Sequence, residues 1–264
     1  MKLISFNIWI KINNSKKVAD FIMSQNPDIV AFQEMIRHFD DSVFGMYKVN
    51  YDIKQIIWKI FPYSFFWPHW FTNKMMMDWK IHRDFNGFIE QWNEIISKFP
   101  ISNASNEFYY WNYDLKIDWS DFFINDHSRA VLVSELNINN KKVQIINVHW
   151  TYSKGKTDSK RSIVQCKYIL EVAKRKNIPT IIVGDFNLFP NTKSIEMINN
   201  KFKNLINEYK IITTRPDFND GMDTWNNIVD YIFVSDEIIV NNFEVLDTDI
   251  SDHLPLILDF DIKE

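Results

Sequence analysis

The chain contains one cysteine, few glycines and no long apolar run. The single Cys166 cannot form an internal disulfide, which favours a reducing compartment. With 5 glycines in 264 residues, nothing indicates a glycine-rich linker between domains. No stretch reaches the roughly 18 apolar residues that a membrane-spanning helix needs, and the N-terminal residues lack the pattern of a signal peptide. We therefore expect a cytoplasmic protein.

The chain also lacks an excess of basic residues. It has 30 lysines and arginines against 34 acidic residues, which gives a net charge of −4. A general electrostatic attraction for a polyanion is excluded, so nucleic-acid binding would depend on local basic groups or a metal. Hydrophobic residues make up 46% of the chain, enough for a sizeable core, and this argues against disorder.

Apolar segments typical of buried strands recur along the sequence, and helical spacing is rarer. The predicted strands are residues 2–9, 28–33, 86–101, 129–138, 141–150, 179–184, 228–235, 238–246 and 254–260. Helices are predicted at 14–25 and 157–176. Two stacked sheets with helices outside would bury such strands on both faces, so we predict an α/β (α+β) fold.

Residues 56–79 concentrate aromatic and methionine side chains around two prolines. Their periodicity is poor, and we predict a short helix near 52–60 followed by a loop. We treat about 52–86 as an aromatic-rich insertion in a single domain spanning 1–264. The segment is a packed core or lid, a stacking platform for bases, or a wedge that contacts a membrane.

Polar side chains stand where several apolar strands begin or end. They are Asn7, Glu34, His149, Asp185, Asn187, Asp230, Asp252 and His253. Strand ends of one sheet layer lie near each other, so these groups could converge on one pocket. Asp185 and Asn187 are two residues apart and face the same side if the chain stays extended. Asp252 and His253 are adjacent, so both can face inward only if the chain bends there.

Each of these residues also has a purely structural interpretation. Asp185 and Asn187 suit an ordinary turn, and Asp252 could cap a loop. Glu34 could begin a helix, where the dipole favours a carboxylate, and His149 could be a hydrogen-bonded core residue. Such separate explanations do not account for acids, amides and imidazoles at the ends of at least five strands.

Six segments carry a resemblance to a known family. "SFNIW", "IVAFQE", "INVHW", "VGDFN", "VDYIFVS" and "SDHLP" occur in the order seen in the endonuclease/exonuclease/phosphatase superfamily, the deoxyribonuclease-I-like proteins. The chain resembles this superfamily over residues 2–260. The resemblance implies a four-layer αββα sandwich, with two stacked mixed β-sheets flanked by helices. It also implies hydrolysis of phosphate esters with Mg²⁺ as cofactor, or Mn²⁺ in its place.

The resemblance assigns a role to each position. Glu34 matches a metal ligand, and Asn7 and Asp252 match residues at or beside the metal. Asp185 and Asn187 match the pair that handles the attacking water and the phosphate. A hard cation held by oxygen ligands neutralises charge that develops on a phosphate oxygen.

The remaining positions match proton-handling and phosphate-binding groups. Asp230 matches the carboxylate that orients His253, which acts as a base or as a charged clamp on phosphate. His149 matches the histidine of an N-x-H motif found in the nuclease and sphingomyelinase branches. Arg129 resembles a substrate-binding arginine that faces the phosphate.

The sequence indicates the substrate less specifically than it indicates the reaction. By resemblance, the His149 motif favours phosphodiesters, and we expect nucleic acid as the partner, cleaved as by an endonuclease. A sphingomyelinase-like phospholipid phosphodiesterase acting on membrane lipid is the alternative, as is a phosphatase of nucleotides or inositol phosphates. An inactive binding scaffold of the same fold is the non-enzyme alternative. No obligate protein partner is indicated.

Two further features leave alternatives open. Trp225 stands where abasic-site nucleases place an aromatic residue near DNA, or it packs below a strand. The basic run 154–161 follows His149 directly and either contacts a phosphate-bearing ligand or begins a solvated helix.

Overall fold

The computed structural model describes residues 1–8, 15–38, 53, 56–77, 80–110, 129–216 and 227–263. The strands are β1 Lys2–Asn7, β2 Ile29–His38, β3 Tyr63–Met77, β4 Lys80–Ser97, β5 Ile101–Tyr110, β6 Arg129–Ile138, β7 Lys141–His149, β8 Thr180–Asp185, β9 Lys203–Asn204, β10 Asp230–Val234, β11 Ile238–Val245 and β12 Leu256–Ile262. The helices are α1 Ser15–Gln25, α2 Lys160–Lys174, α3 Lys193–Asn199 and α4 Leu205–Glu208, with a 3-10 turn at Lys154–Lys156.

Within these ranges the strands form two mixed six-stranded sheets. The first sheet has the order β11-β12-β1-β2-β4-β3, and the second has the order β5-β6-β7-β8-β10-β9. Parallel pairing occurs between β1 and β2 and between β7 and β8, each joined by a crossover that contains a helix. The predicted sandwich of two mixed sheets with flanking helices is confirmed.

The alternation of side chains along β1 determines what lies between the sheets. Ile4 and Phe6 pack in a cluster with Val18 of α1, on the outer face of the first sheet. Leu3 belongs to the larger cluster that it shares with strands of the second sheet. Successive side chains of a strand point to opposite faces, so Asn7 lies on the same inner face as Leu3.

The segment predicted as a loop after residue 60 is a strand. Residues Tyr63–Met77 pair with β4 along its length, from Tyr63 opposite Ser97 to Met77 opposite Lys80. Three register shifts interrupt this ladder, the first between Pro68 and Trp70. A register shift breaks the alternation of residues between the two faces of a sheet, and a prediction of strands from sequence depends on that alternation. The boundaries of the predicted insertion stay a prediction.

The best-patterned segments of the sequence agree with the structure. The strands predicted at 129–138 and 141–150 form β6 and β7, which pair as a hairpin, and Asn139 and Asn140 at its turn have φ angles of 49° and 66°. Asparagine tolerates this left-handed region, which a two-residue hairpin turn requires. Helix α2 begins with a capping box between Ser159 and Ser162. No helix in the described ranges is long and apolar enough to cross a membrane.

Candidate active site

Three of the predicted residues meet at one end of the neighbouring strands β7, β8 and β10 in the second sheet. Asp185 ends β8, and its register partner on β7 is His149. On its other side, Asp185 is the register partner of Asp230, the first residue of β10. Neighbouring strands lie about 4.8 Å apart, so this pairing alone places an imidazole and two carboxylates side by side.

Gly184 permits the close approach of β8 to β7 at this end of the strands. Its φ angle is 132°, and a Cβ atom added there would lie 2.0 Å from the carbonyl oxygen of Val148. No side chain can be accommodated at that distance from a backbone atom. The glycine of "VGDFN" therefore lets the following Asp185 lie next to His149.

The buried side-chain amide of Asn147 joins the two sheets by hydrogen bonds, two residues before His149. The Nδ2 atom of Asn147 donates to the carbonyl oxygens of Phe32 at 2.9 Å and Glu94 at 3.1 Å. Its Oδ1 atom accepts from Nε2 of Gln33 at 2.8 Å. Because buried amides need such partners, Asn147 fixes the spacing of the two sheets beside His149.

Glu34 reaches the site from the first sheet through a β-bulge. The ladder between β2 and β4 shifts register between Phe32 and Met35, and Glu34 has a φ angle of 58°. The strand does not end at Glu34, as the sequence pattern predicts, but continues to His38. The left-handed backbone at a bulge re-aims a side chain, and here it turns a carboxylate toward the second sheet.

Asn7 connects the carboxylates of the two sheets. Its Nδ2 atom donates to Oε1 of Glu34 at 3.3 Å and to Oδ2 of Asp185 at 3.1 Å. Asp185 is 2% exposed. The amide thus brings two acids together at the seam between the sheets, where positive charge is favoured.

The position of Arg129 determines which nitrogen of His149 carries a proton. Nη1 of Arg129 lies 3.3 Å from Nδ1 of His149. A guanidinium can only donate, so Nδ1 accepts and the proton lies on Nε2. That Nε2 atom lies 3.6 Å from Oε1 of Glu34 and 3.8 Å from Oδ2 of Asp185. His149 therefore presents an N–H group to the centre of the site.

The second histidine has the opposite tautomer. Nδ1 of His253 lies 2.9 Å from Oδ2 of Asp230, and Nη1 of Arg215 lies 2.6 Å from its Nε2 atom. The guanidinium requires Nε2 to accept, so Nδ1 donates to Asp230. Burial lowers the pKa of His253 to about 4, which keeps the ring neutral. Thr214 donates to Oδ2 of Asp230 at 2.8 Å.

The chain bends at 251–253, as the adjacency of Asp252 and His253 requires. Ser251 Oγ donates to the carbonyl oxygen of Asn7 at 2.8 Å and accepts from the backbone N–H of His253 at 3.2 Å. Oδ2 of Asp252 binds Arg215, and Oδ1 lies 3.9 Å from Nε2 of His253. Within the described structure that Oδ1 atom is buried and accepts no hydrogen bond.

Asn187 follows the strand in a left-handed conformation, with a φ angle of 50°. Its backbone N–H donates to Oδ1 of Asp185 at 2.8 Å, and its Nδ2 atom donates to Oδ2 of the same carboxylate at 3.2 Å. Its Oδ1 atom accepts from Nζ of Lys156 at 3.0 Å. The turn that "GDFN" suggests does form, and it directs both polar side chains into one pocket.

The donor atoms fit a hard divalent cation. Two sets, Glu34 with His149 and Asp185, and Asp185 with Asp230 and His253, each offer three ligand atoms within 4.8 Å of one another. Mg²⁺ prefers oxygen ligands, and these sets supply carboxylate oxygens next to imidazole nitrogens. The buried Oδ1 atom of Asp252 is a further oxygen acceptor beside them. Asn7 directs its amide nitrogen, rather than its oxygen, toward the carboxylates of Glu34 and Asp185.

Every predicted site residue lies in this pocket, and three residues were missed. Lys156 belongs to the basic run 154–161, and the sequence does not indicate that this lysine contacts Asn187. Thr214 and Arg215 precede a proline in a segment with no strand pattern, so no pattern in the sequence indicates their contacts with Asp230 and His253. Trp225 lies outside the described residues.

Comparison with known families decides how this pocket is classified. Residues 4–253 match the Endonuclease/Exonuclease/phosphatase family. The chain belongs to this family. Members of the family are phosphoesterases and generally depend on a divalent metal. The resemblance seen in the sequence is therefore confirmed.

Solved structures of the family share the fold. An endonuclease/exonuclease/phosphatase from Beutenbergia cavernae DSM 12333 has a TM-score of 0.74 at 12% identity, covering 100% of this chain and 72% of that one. The human Nocturnin catalytic domain with bound sulfate has a TM-score of 0.67 at 16% identity, covering 100% and 94%. A mannosyl-6-phosphatase from Bacteroides thetaiotaomicron VPI-5482 has a TM-score of 0.66 at 16% identity, covering 99% and 100%. The comparison with curated proteins found no significant match.

Proposed function

We propose that this chain is a divalent-metal-dependent phosphodiesterase and that its substrate is nucleic acid. One observation carries the proposal: the carboxylate of Asp185 lies within 3.1 to 3.8 Å of groups from both sheets. These groups are the side chains of Asn7, Asn187, His149 and His253. An acid surrounded by donors and imidazoles suits a reaction in which water is deprotonated next to an anionic ester.

Glu34 would hold the cation, with Asn7 and Asp252 at or beside it. When bound, Mg²⁺ (or Mn²⁺ in its place) would neutralise charge on a phosphate oxygen and so stabilise the transition state. Negative charge from several carboxylates concentrates the cation at the seam between the sheets. Asn7 adds no charge and keeps the two acids at hydrogen-bond distance from a shared amide.

The residues of the second sheet would handle protons and phosphate oxygens. Asp185, oriented by two N–H groups of Asn187, accepts the proton of the attacking water. His149 donates its Nε2–H group to the leaving oxygen or an equatorial oxygen, because Arg129 holds the proton on that nitrogen. His253 directs an accepting Nε2 lone pair into the site, since its other nitrogen donates to Asp230.

A phospholipid phosphodiesterase is the second candidate function, and exposed aromatic residues favour it. Trp58 is 59% exposed and Trp67 is 51% exposed, both on the segment that leads into and forms β3. Aromatic side chains of this kind suit a membrane interface, but they also stack on bases. The similarity in fold to a mannosyl-6-phosphatase makes phosphomonoesters a further class to test.

A substrate panel tests the proposal. Purified protein with Mg²⁺, Mn²⁺ or EDTA is incubated with plasmid DNA, RNA, an abasic oligonucleotide, sphingomyelin, bis-p-nitrophenyl phosphate and p-nitrophenyl phosphate. We expect metal-dependent cleavage of nucleic acid and of the synthetic diester, and none by the Asp185→Asn variant. Cleavage of sphingomyelin alone would replace the nucleic-acid proposal with the lipid one. Absence of any turnover would favour an inactive scaffold.

A further inference from the structure

Lys156 places an ammonium group at the site without a carboxylate partner. Its Nζ atom donates to the neutral amide of Asn187 at 3.0 Å and lies 5.5 Å from the ring centre of Tyr152. None of the ion pairs between described residues includes Lys156. Burial lowers the pKa of this lysine, Asp185 opposes that effect, and the positive charge of Arg215 adds to it. A half-buried ammonium group whose one hydrogen bond goes to a neutral amide has unused donors.

The backbone holds Lys156 in this position against its own preference. The φ angle of Lys156 is 50°, in the left-handed region that side chains disfavour. Its backbone N–H donates to the carbonyl oxygen of Ser153 at 2.9 Å, and its own carbonyl oxygen accepts from the N–H of Phe189 at 2.9 Å. The second contact ties the turn to the segment after Asn187. Strained residues held by their surroundings cluster at functional sites.

Arg215 contacts the second histidine of the pocket. Its guanidinium donates to Nε2 of His253 and to Oδ2 of Asp252. The preceding residue, Thr214, accepts through its carbonyl oxygen from the N–H of Leu254 at 2.8 Å, so Arg215 is anchored to the bend that carries His253. In this arrangement the lone pair of His253 that would face a substrate is already used.

Two cations therefore lie next to groups that would meet phosphate. Lys156 is beside Asn187, and Arg215 is beside His253. A phosphodiester has two non-bridging oxygens, and the amide group of Asn187 already donates to Asp185 and to the carbonyl oxygen of Trp150. Donors besides Asn187 and His149 are therefore needed to bind both oxygens. Guanidinium and ammonium groups make the strong, charge-assisted hydrogen bonds that such oxygens favour.

We propose that Lys156 and Arg215 form a clamp for the non-bridging oxygens of the substrate phosphate, and that Arg215 leaves His253 and Asp252 when phosphate enters. This inference rests on the proposed function and deepens it by naming the two residues that recognise the charged group. Substrate entry would itself expose the lone pair of His253.

Binding of inorganic phosphate to the protein in EDTA tests the clamp without requiring turnover. Titration calorimetry would compare the wild type with Lys156→Met and Arg215→Gln, and with Lys160→Met as control, because Lys160 is an exposed lysine of the same basic run. We expect each clamp variant to bind phosphate at least about tenfold more weakly, as loss of a charge-assisted hydrogen bond does. The control should bind like the wild type, and Lys156→Arg and Arg215→Lys should restore part of the affinity.

A second measurement follows the movement of Arg215. The ring nitrogens of His253 are observed by NMR with and without phosphate. We expect phosphate to shift the Nε2 signal of the wild type, and Arg215→Gln to show a shifted signal before phosphate is added. Unchanged phosphate affinity in both clamp variants, or no phosphate binding by the wild type, would overturn the proposal. Because neither readout needs hydrolysis, a failed substrate panel would count against the proposed function alone.

Discussion

His149 and Asp185 are register partners at the ends of two neighbouring parallel strands. Their side chains lie 3.8 Å apart, between Nε2 and Oδ2. The contact depends on the glycine that precedes Asp185 and on the arginine that fixes the His149 tautomer. A base and a proton donor are thus held in place by backbone pairing rather than by a loop, which favours a precise site.

Glu34→Gln should abolish metal-dependent hydrolysis while leaving the fold intact. The substitution keeps the shape of the side chain but removes the charge that would hold the cation. Initial rates on bis-p-nitrophenyl phosphate and circular dichroism would be measured together. Glu244→Gln, at an exposed position of β11, is the matched control and should keep full activity. Full turnover of the Glu34 variant with Mg²⁺ present would reject the ligand role.

His149→Ala and His253→Ala should each lower kcat by at least about 100-fold, as loss of a proton-handling group does. Asp230→Asn should have an effect of similar direction, because an amide no longer holds His253 in the tautomer with Nδ1 protonated. Steady-state kinetics on the synthetic diester would measure all three variants. Near-normal rates in both histidine variants would show that these rings have a structural role only.

Gly184→Ala should destabilise the protein by about 3 kcal/mol or more, because the added methyl group meets the Val148 carbonyl. Gly155→Ala is the control for backbone strain alone. That glycine also has a positive φ angle, 72°, but open space around its Cβ position, and we expect a cost of about 1 kcal/mol. Equilibrium unfolding in denaturant measures both. Equal effects of the two variants would contradict the packing argument.

Glu135 should contribute stability that depends on pH. Burial alone would raise its pKa, but hydrogen bonds from Lys176 and Asn103 and the charge of Lys142 outweigh burial, so the pKa lies below its ordinary value of 4.5. The unfolded chain then binds a proton more readily than the folded one. The contribution is complete above pH 4.5 and is lost as the pH falls through the lowered value.

The free energy of unfolding, measured from about pH 6 down to about pH 3, tests this contribution of Glu135. The wild type should lose more stability over that range than Glu135→Gln, whose amide does not titrate. The exposed Glu244→Gln variant should follow the wild type. Parallel curves for the wild type and the Glu135 variant would show that the ion pairs contribute nothing measurable.

Much of the fold was predictable because its central strands are regular. The hairpin of β6 and β7 and the helix α2 have uninterrupted periodicity, and the structure has them where the pattern indicates. Strand β3 was not predictable, since three register shifts interrupt its pairing with β4 and so break the period of two that identifies a strand. Helix α3 is only seven residues long and gives too few turns for a periodic signal.

The position of the site was predictable, but its internal contacts were not. Strand ends meet at a sheet edge, which is why Asp185, Asp230 and His149 could be placed together. The tautomers of the histidines depend on Arg129 and Arg215, and nothing in the sequence indicates which nitrogen an arginine will reach. The roles assigned to the individual residues stay predictions.

Because the site spans both sheets, activity depends on the distance between them. Asn7 and Glu34 come from one sheet, while Asp185 and His149 come from the other, with the Asn147 side chain bridging between them. A slight separation of the two layers would pull the acids apart while every strand kept its own ladder. On gentle heating, catalysis should therefore disappear before the circular dichroism signal of the sheets begins to change.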